Sequence, residues 1–334
     1  MFVHTKTIFA YLSLEPKLIM KQITSAFTFK SEGPPEYYQG NDFKKDRKGR
    51  WCIGSRTYIK EGIRRIENMF GTLTKHDIPM VAGDHPELDE SKHLDDDEHT
   101  KYQILIGMLN WIVTIGRIDI AFAVSSLSRF IACPRQGYMD RALYVFGYLK
   151  ECSNRRIRID SRDPIVVANG AEGNIEIDIS KKLLEQYPDA MEQKDDKLPM
   201  PLFDELAIST YVDSDHAHDK VSRRAITGII IFVGITPVFA LARRQGAIET
   251  STYSAEFIAM KTAVEEVMSV RYMLRCLGVK VTRPTPILGD NRSVIMNAII
   301  PSSLLKKKHV AISYHMTREA TAAGICRRLK TNGK

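Results

Sequence analysis

Three acidic residues in the last third of this 334-residue chain have the types and neighbours that a metal site needs. Asp213 ends a short β-prone run, Glu256 falls in the first turn of a predicted long helix, and Asp290 follows a second β-prone run. Carboxylates at strand ends and at the start of a neighbouring helix can converge at one edge of a sheet. Converging acids repel one another unless a cation neutralises them, and their oxygens suit Mg²⁺ or Mn²⁺. We therefore predict that Asp213, Glu256 and Asp290 bind catalytic metal ions.

Phosphodiester cleavage is the chemistry that such a site would serve. Two divalent ions about 3.5–4 Å apart activate a water molecule and stabilise the leaving oxygen. Taken singly, each acid has a simpler interpretation, because an Asp after a strand is usually a turn former or a helix cap. Asp290 next to Asn291 before a helix is open to that capping interpretation. Asp215 is the alternative to Asp213, and we prefer Asp213 because it directly follows the Tyr-Val pair of the strand.

The distribution of charge points to a polyanionic partner for the same part of the chain. From Leu206 onward there are 19 Lys and Arg residues against 9 Asp and Glu, whereas the rest of the chain has 29 against 31. A basic surface around an acidic site suits a nucleic acid, although a merely solvated basic surface is the alternative. The residues that we predict to contact nucleic acid are Arg223, Arg224, Arg244, Arg292, Lys306, Lys307 and Lys308.

The elements that must position the three acids alternate between strands and helices. The sequence predicts strands at 210–212 and 286–288, one or two strands over 226–239, and helices over 254–277, from about 291, and over 312–323. Ser254 is the predicted N-cap of the long helix, and Gly278 is its predicted stop. This order predicts an α/β layered domain.

Upstream, helical spacing of apolar residues predicts an all-helical block. The predicted helices cover 57–70, 102–113, 120–130 and 139–149. The acidic stretch 74–100 is predicted to be an exposed loop, and 160–201 an irregular linker or insertion with a short helix at 180–187.

Composition bounds the class of protein. An apolar fraction of 44% and a charged fraction of 26% are those of a soluble globular protein. No apolar run is long enough to span a membrane, no signal peptide is evident, and the five cysteines form no CxxC pair. We expect a cytoplasmic or nuclear location rather than secretion, and no membrane partner.

Several motifs in this order and spacing resemble a known family. The segments 211–215 (YVDSD), 223–228 (RRAITG), 250–257 (TSTYSAEF) and 289–294 (GDNRSV) are similar to the ribonuclease H region of copia-type retrotransposon polyproteins. Upstream, 36–43 (EYYQGNDF) resembles the end of the reverse-transcriptase palm, and 102–111 (YQILIGMLNW) resembles the helical segment that follows it. The resemblance covers residues 16–328.

The resemblance implies a fold, a division of the chain and an activity. It implies a ribonuclease H-like α/β domain with a mixed sheet and flanking helices, preceded by a partial reverse-transcriptase α+β segment with a helical thumb or connection. The implied segments are a palm and thumb remnant (1–95), a helical connection (96–160), a linker or insertion (161–205) and the ribonuclease H-like domain (206–334). Carried over to this chain, Asp213, Glu256 and Asp290 match the family's metal-binding acids. The implied activity is Mg²⁺- or Mn²⁺-dependent hydrolysis of RNA in RNA–DNA hybrids.

Two departures from the family pattern keep a second hypothesis open. Residues 1–15 contain no Asp, so the aromatic-x-Asp-Asp motif of the polymerase is missing and DNA synthesis is not expected. The family continues beyond the final helix to a further acid that completes a four-acid site, whereas the tail 327–334 contains none. The alternative is therefore a catalytically inactive retrotransposon remnant that at most binds nucleic acid.

Overall fold

The structure is a computed structural model that describes residues 36–164, 182–300 and 311–330. These residues group into two compact units. One runs to Ile159 and includes Leu202–Asp204, and the other comprises Asp160–Pro201 and the chain from Glu205 onward. The four-part division at 95, 160 and 205 stays a prediction. No helix of the described residues has the length and apolarity needed to cross a membrane.

The first unit contains an antiparallel sheet whose strands no sequence pattern predicted, although the family resemblance implied an α+β segment. Its strands are β1 (Tyr37–Tyr38), β2 (Asn41–Lys45), β3 (Trp51–Gly54) and β4 (Ile157–Arg158), in the order β1-β2-β3-β4. The strands have two to five residues, which is too short for an alternating pattern to stand out. Strand β4 pairs with β3 although about a hundred residues separate them in the sequence. No local sequence pattern predicts this pairing.

The helices of the first unit are α1 (Arg56–Phe70), α2 (Asp96–Thr114), α3 (Ala121–Ser128) and α4 (Gln136–Glu151), with 3₁₀ turns at Pro86–Leu88 and Ile118–Ile120. Their apolar stripes bury against one another, as the helical spacing predicted. The core includes Ile59, Ile63, Ile66, Leu105, Ile106, Leu109, Ile112, Leu127, Val145, Phe146 and Leu149.

The prediction of an exposed loop over 74–100 was wrong at its end. Asp95 is the N-cap of α2, and a capping box joins it to Glu98, so the acidic run forms a helix start rather than a loop. The physical reason is that unpaired N–H groups and the positive end of the helix dipole favour acidic residues in the first turn.

The second unit is built on a five-stranded mixed sheet of order β7-β6-β5-β8-β9. Its strands are β5 (Ile208–Asp215), β6 (Ile226–Val233), β7 (Thr236–Arg244), β8 (Thr285–Gly289) and β9 (Cys326–Lys330). Strands β5, β6 and β7 are antiparallel neighbours, whereas β8 runs parallel to β5 and β9 parallel to β8. The predicted region 226–239 is thus two strands, and the acid-free tail contributes a fifth strand.

The turn between β6 and β7 requires glycine. Gly234 has a φ of 59°, and a Cβ there would lie 2.5 Å from the carbonyl oxygen of Asp160. Any other residue would meet both a left-handed backbone and a backbone clash.

Three helices complete the second unit: α5 (Thr252–Cys276), α6 (Arg292–Ile299) and α7 (Ala311–Ala322). Helix α5 packs on β5 and β6, α7 packs on α5, and α6 contacts β9 and α7. This is the predicted α/β arrangement of a mixed sheet with flanking helices, and the fold-class prediction is confirmed. The N-cap of α5 is Ser251 rather than Ser254, because the Ser251 side chain accepts the N–H of Ser254.

The described parts of the stretch before the second unit's sheet, residues 160–164 and 182–201, are mostly irregular, as predicted, and Glu192 anchors the second part to α5. Residues 182–186 are helical. Further on, the Glu192 carboxylate pairs with Arg271 and Arg275 at 2.6–2.9 Å. Arg271 is only 1% exposed, so this ion pair belongs to the interior of the unit.

Candidate metal centre

The pairing of β5 with β8 brings the two aspartates to the same edge of the sheet. Strand β5 continues to Asp215, so Asp213 lies within the strand rather than at its end. Because Tyr211 is paired with Leu288 in parallel register, Asp213 and Asp290, each two residues further along, reach the same level. The antiparallel β6 pairs Gly228 opposite Asp213.

Helix α5 brings the glutamate to this edge. Since the helix begins at Thr252, Glu256 lies in its second turn and not in the first turn that the sequence predicted. The buried amide of Gln245 donates to the carbonyl of Ala255 at 2.9 Å and to Thr227 Oγ1 at 3.0 Å. These bonds fix the first turns of α5 to the sheet directly before Glu256.

The capping interpretation of Asp290 is resolved by its neighbour. Asn291 is the N-cap of α6, and its side-chain oxygen accepts the N–H of Val294 at 3.2 Å. The cap role is thereby filled, and Asp290 lies just before it at the end of β8.

The three predicted acids form one cluster. Asp213, Glu256 and Asp290 each offer a carboxylate oxygen, and these oxygens all lie within 4.8 Å of one another. Asp213 and Asp290 are exposed, whereas Glu256 is 7% exposed. Asp215, the alternative to Asp213, instead accepts from His218 Nδ1 at 2.7 Å.

The three acids repel one another, and a bound cation would relieve this repulsion. Burial of the carboxyl, followed by the charges of Asp213 and Asp290, raises the pKa of Glu256 to about 8, although a hydrogen bond from the Ser214 backbone opposes the shift. Oxygens that coordinate one Mg²⁺ lie about 2.0–2.1 Å from the ion, so oxygens up to about 4 Å apart can share it. Three carboxylate oxygens within 4.8 Å therefore fit a small divalent cation after modest side-chain rotation.

The predicted nucleic-acid-binding residues have different environments. Arg223 and Arg292 are exposed, and Arg224 is half-buried. Arg244 is bound by the buried Asp219 through Nη1 at 3.1 Å, so its guanidinium is held within the loop rather than presented freely. Lys306, Lys307 and Lys308 lie outside the described residues.

Asp219 organises this region, although no sequence pattern singled it out. Its Oδ1 accepts the N–H groups of Val221 and Ser222 at 3.1 and 2.6 Å, and its Oδ2 accepts from Arg244. The carboxylate is 1% exposed and organises the loop that follows β5. The only signal in the sequence is that Asp commonly bonds backbone groups two residues on, which many loop aspartates share.

The solved structures that match this chain resemble it only weakly. The crystal structure of RNase H1 from Halobacterium salinarum NRC-1 is 16% identical, covering 37% of this chain and 83% of that chain, with a TM-score of 0.28. LC11-RNase H1 in complex with RNA/DNA hybrid is 12% identical with a TM-score of 0.29 over 37% of this chain. TM-scores this low do not assign a fold, which rests on the strand order above. No protein-family model matches the chain.

Comparison with curated sequences covers nearly the whole chain. The retrovirus-related Pol polyprotein from transposon RE1 of Arabidopsis thaliana is 23% identical over 308 residues, which is 92% of this chain. The corresponding protein from transposon TNT 1-94 of Nicotiana tabacum is 20% identical over 305 residues, or 89% of the chain. The chain spans only 18% and 19% of the length of these two relatives. The chain is thus homologous, over most of its length, to retrovirus-related Pol polyproteins of transposons, in agreement with the copia-type resemblance of its motifs.

Proposed function

We propose that the second unit is a ribonuclease H-type, metal-dependent hydrolase that cuts RNA in RNA–DNA hybrids, within a protein related to copia-like Pol polyproteins. The observation that carries the proposal is the convergence of Asp213, Glu256 and Asp290 within 4.8 Å. The homology to transposon Pol polyproteins supports a nucleic acid as the substrate. Mg²⁺ is the cation that we propose, with Mn²⁺ as a substitute.

Each of the three acids has a distinct part in this proposal. Asp213 and Asp290 are exposed and offer their oxygens from neighbouring parallel strands to the outer side of the cluster. Glu256 is buried and offers its carboxylate from α5, which fixes the inner side. A divalent cation held there supplies charge neutralisation at the scissile phosphate and lowers the pKa of attacking water.

Recognition of the hybrid would rest on the backbone rather than on base sequence. Arg223 and Arg292 are exposed and lie on segments that follow the acids along the chain: Arg292 begins α6 two residues after Asp290, and Arg223 lies in the loop after β5. Cations beside an acidic metal site hold the flanking phosphates while the site acts on one of them. Duplexes that contain RNA are read mainly by shape and by the 2′-hydroxyl groups.

The test is cleavage of a hybrid whose RNA strand is labelled, by the purified full chain with Mg²⁺ and with EDTA. We expect Mg²⁺-dependent cutting of the RNA strand, and a fall of at least about 100-fold for Asp290→Asn, because loss of a direct ligand exceeds the effect of losing an outer-sphere partner. Asp215→Asn is the matched control, since Asp215 is on the same strand but outside the cluster.

The outcomes distinguish an active ribonuclease H-type enzyme from a catalytically inactive remnant. Equal cutting by the wild type and Asp290→Asn would show that the cleavage is background, and would leave the inactive nucleic-acid-binding remnant as the function. Loss of cutting in Asp215→Asn with activity retained in Asp213→Asn would refute the assignment of Asp213.

A further inference from the structure

A cleft in the first unit has no part in the proposed hydrolysis. It lies between the loop 79–84 and helices α3 and α4, and its volume is about 480 Å³. Its lining residues all belong to the first unit, whereas the acidic cluster belongs to the second. Sites for small molecules have volumes of roughly 300–1,000 Å³. The cleft is therefore large enough to hold a small organic molecule.

Most of the wall of this cleft is apolar. The helices contribute buried side chains, Ala123 and Leu127 from α3 and Val145 from α4. The loop contributes Met80, which is half-buried and packs against the same helical core, and Val81, which is 54% exposed. An apolar group that enters the cleft is removed from water on these sides. The wall thus favours a ligand with an apolar body.

Tyr144 of α4 adds an aromatic surface to the wall. Its ring lines the cleft and also stacks on the ring of His76, with the two centroids 3.7 Å apart. The stack holds the tyrosine ring in place. Fixed aromatic rings pack well against flat apolar groups and attract cations.

The positive charge of Arg141, which also lines the cleft, is compensated within the protein. Its Nε and Nη2 donate to the Asp84 carboxylate at 2.7 and 2.9 Å, and its Nη1 donates to Asp89 at 2.7 Å. Gly137 permits the approach of Asp89 to α4, because a Cβ there would lie 1.8 Å from Asp89 Oδ2. Two carboxylates thus share one guanidinium, so Arg141 does not make the cleft attractive to an anion.

Asp140 adds further negative charge to the same side of the cleft. It is exposed, it lines the cleft, and its Oδ1 accepts a hydrogen bond from the neutral Gln136 Nε2 at 2.9 Å. That contact does not compensate its charge. Since Asp84 and Asp89 already outnumber Arg141, the charge of this group of residues is negative. A positively charged ligand is therefore favoured over a neutral or anionic one of the same shape.

We propose that this cleft binds a small organic cation, a molecule with a flat apolar body and a protonated amine. The apolar body lies against α3, α4 and Met80, and the amine lies towards Asp140. Binding requires neither a metal nor a nucleic acid, so failure of the proposed nuclease function does not alter the test.

The experiment uses the full chain and three probes that share one indole ring: tryptamine, a cation; tryptophol, which is neutral; and indole acetate, an anion. Isothermal titration calorimetry measures the affinity of each probe. The NMR signal of the Met80 methyl group, assigned with Met80→Leu, reports whether the probe occupies the cleft, since Met80 lines it.

Three variants test the roles of charge and space. Asp140→Asn removes the charge and keeps the oxygen that Gln136 contacts. The matched control is Glu151→Gln, which removes an exposed acid at the other end of α4, outside the cleft. Ala82→Phe fills the cleft from the loop, and Ala82 is exposed, so the fold tolerates the larger side chain. Circular dichroism checks the fold of each variant, and Asp140→Asn, which adds no volume, decides the matter should Ala82→Phe unfold.

We expect tryptamine to bind at least about tenfold more tightly than indole acetate, to bind more tightly than tryptophol, and to shift the Met80 methyl signal. Asp140→Asn should weaken tryptamine binding at least about threefold and leave tryptophol binding unchanged. Ala82→Phe should abolish the binding of both probes, and Glu151→Gln should change neither.

The proposal is overturned by an absence of tryptamine binding, by equal affinities for the three probes, or by binding that leaves the Met80 methyl signal unshifted. Equal losses in Asp140→Asn and Glu151→Gln would also overturn it, because the total charge of the protein would then be the cause.

Discussion

At the scale of single residues, the acidic cluster depends on which neighbour takes each competing role. Asn291 caps α6, and Asp215 binds His218, so Asp290 and Asp213 are left to face Glu256. An isolated acid after a strand is usually explained by capping or by turn formation. Here those roles are filled by adjacent residues, which is the physical reason for proposing that the cluster binds a ligand.

The raised pKa of Glu256 makes the stability of the metal-free protein depend on pH. The ordinary value is 4.5 and the folded value about 8, so the folded state holds more protons between these pH values. Stability is therefore highest below pH 4.5 as far as this group is concerned, and is lost as pH rises through 8. We expect Glu256→Gln, which stays neutral, to raise the free energy of unfolding by about 2 kcal/mol or more at pH 9 but little at pH 5.

Denaturant unfolding of both proteins in EDTA at the two pH values measures this difference. A stabilisation that is equal at pH 5 and pH 9 would contradict the titration of Glu256. Added Mg²⁺ should stabilise the wild type more as the pH rises from 6 to 8, because binding displaces a proton.

At the scale of elements, strand register and helix caps decide where the site residues lie. The parallel pairing of β5 with β8 sets Asp213 level with Asp290, and the Ser251 cap sets the turn of α5 that carries Glu256. A shift of one residue in the β5–β8 register would turn an aspartate to the opposite face of the sheet. A shift of one residue along α5 would rotate Glu256 by about 100° around the helix axis.

Variants at the start of α6 distinguish the structural role of Asn291 as the N-cap from the proposed metal-binding role of Asp290. Asn291→Ala should lower the free energy of unfolding by about 1 kcal/mol, because the Val294 N–H loses its partner. Asp290→Asn should cost little stability, since it does not cap the helix. Thermal unfolding of both variants checks this, and a larger loss for Asp290→Asn than for Asn291→Ala would contradict the division of roles.

At the scale of the whole molecule, net charge and separation along the chain do not indicate which residues folding brings together. The chain up to Ala207 is close to neutral in sum, although its charges are segregated: residues 44–50 carry five basic residues and one acid, whereas the acids of 95–98 begin helix α2. Similarly, Glu192 lies 79 residues before Arg271 and still forms its ion pair. Net charge conceals the first feature, and local composition does not indicate the second.

The Glu192 ion pair should contribute to the stability of the second unit. Burial of Glu192 favours a raised pKa, but hydrogen bonds from Arg271 and Arg275 lower it to about 2. The contribution is therefore present above pH 4.5 and is lost as pH falls towards 2. We expect Glu192→Ala to lower the free energy of unfolding by about 3 kcal/mol at pH 7, because Arg271 is left buried and unpaired.

Glu185→Ala is the control, since Glu185 is exposed in the helical stretch 182–186. Denaturant unfolding at pH 7 and at pH 3 provides the measurement. A loss for Glu192→Ala that does not shrink at pH 3, or that equals the loss for Glu185→Ala, would refute this account of the ion pair.

Local sequence patterns were enough to predict the types and order of most elements around the acids. Helical spacing gave α1 and α5, the turn signal at Gly278 marked the end of α5, and the three acids could be named because their neighbours carry specific family motifs. These features depend on local periodicity and local turn chemistry, which a single sequence displays.

Which residues come into contact, by contrast, depends on the packing of the folded chain. Strand β4 pairs with β3 across about a hundred residues, Glu192 reaches Arg271, and Asp219 rather than solvent holds Arg244. Such contacts depend on the packing of distant segments, which local secondary-structure propensity does not determine. The same packing buries Glu256 between two exposed aspartates, and that burial, more than the presence of three acids in the sequence, makes the cluster a site that favours a cation.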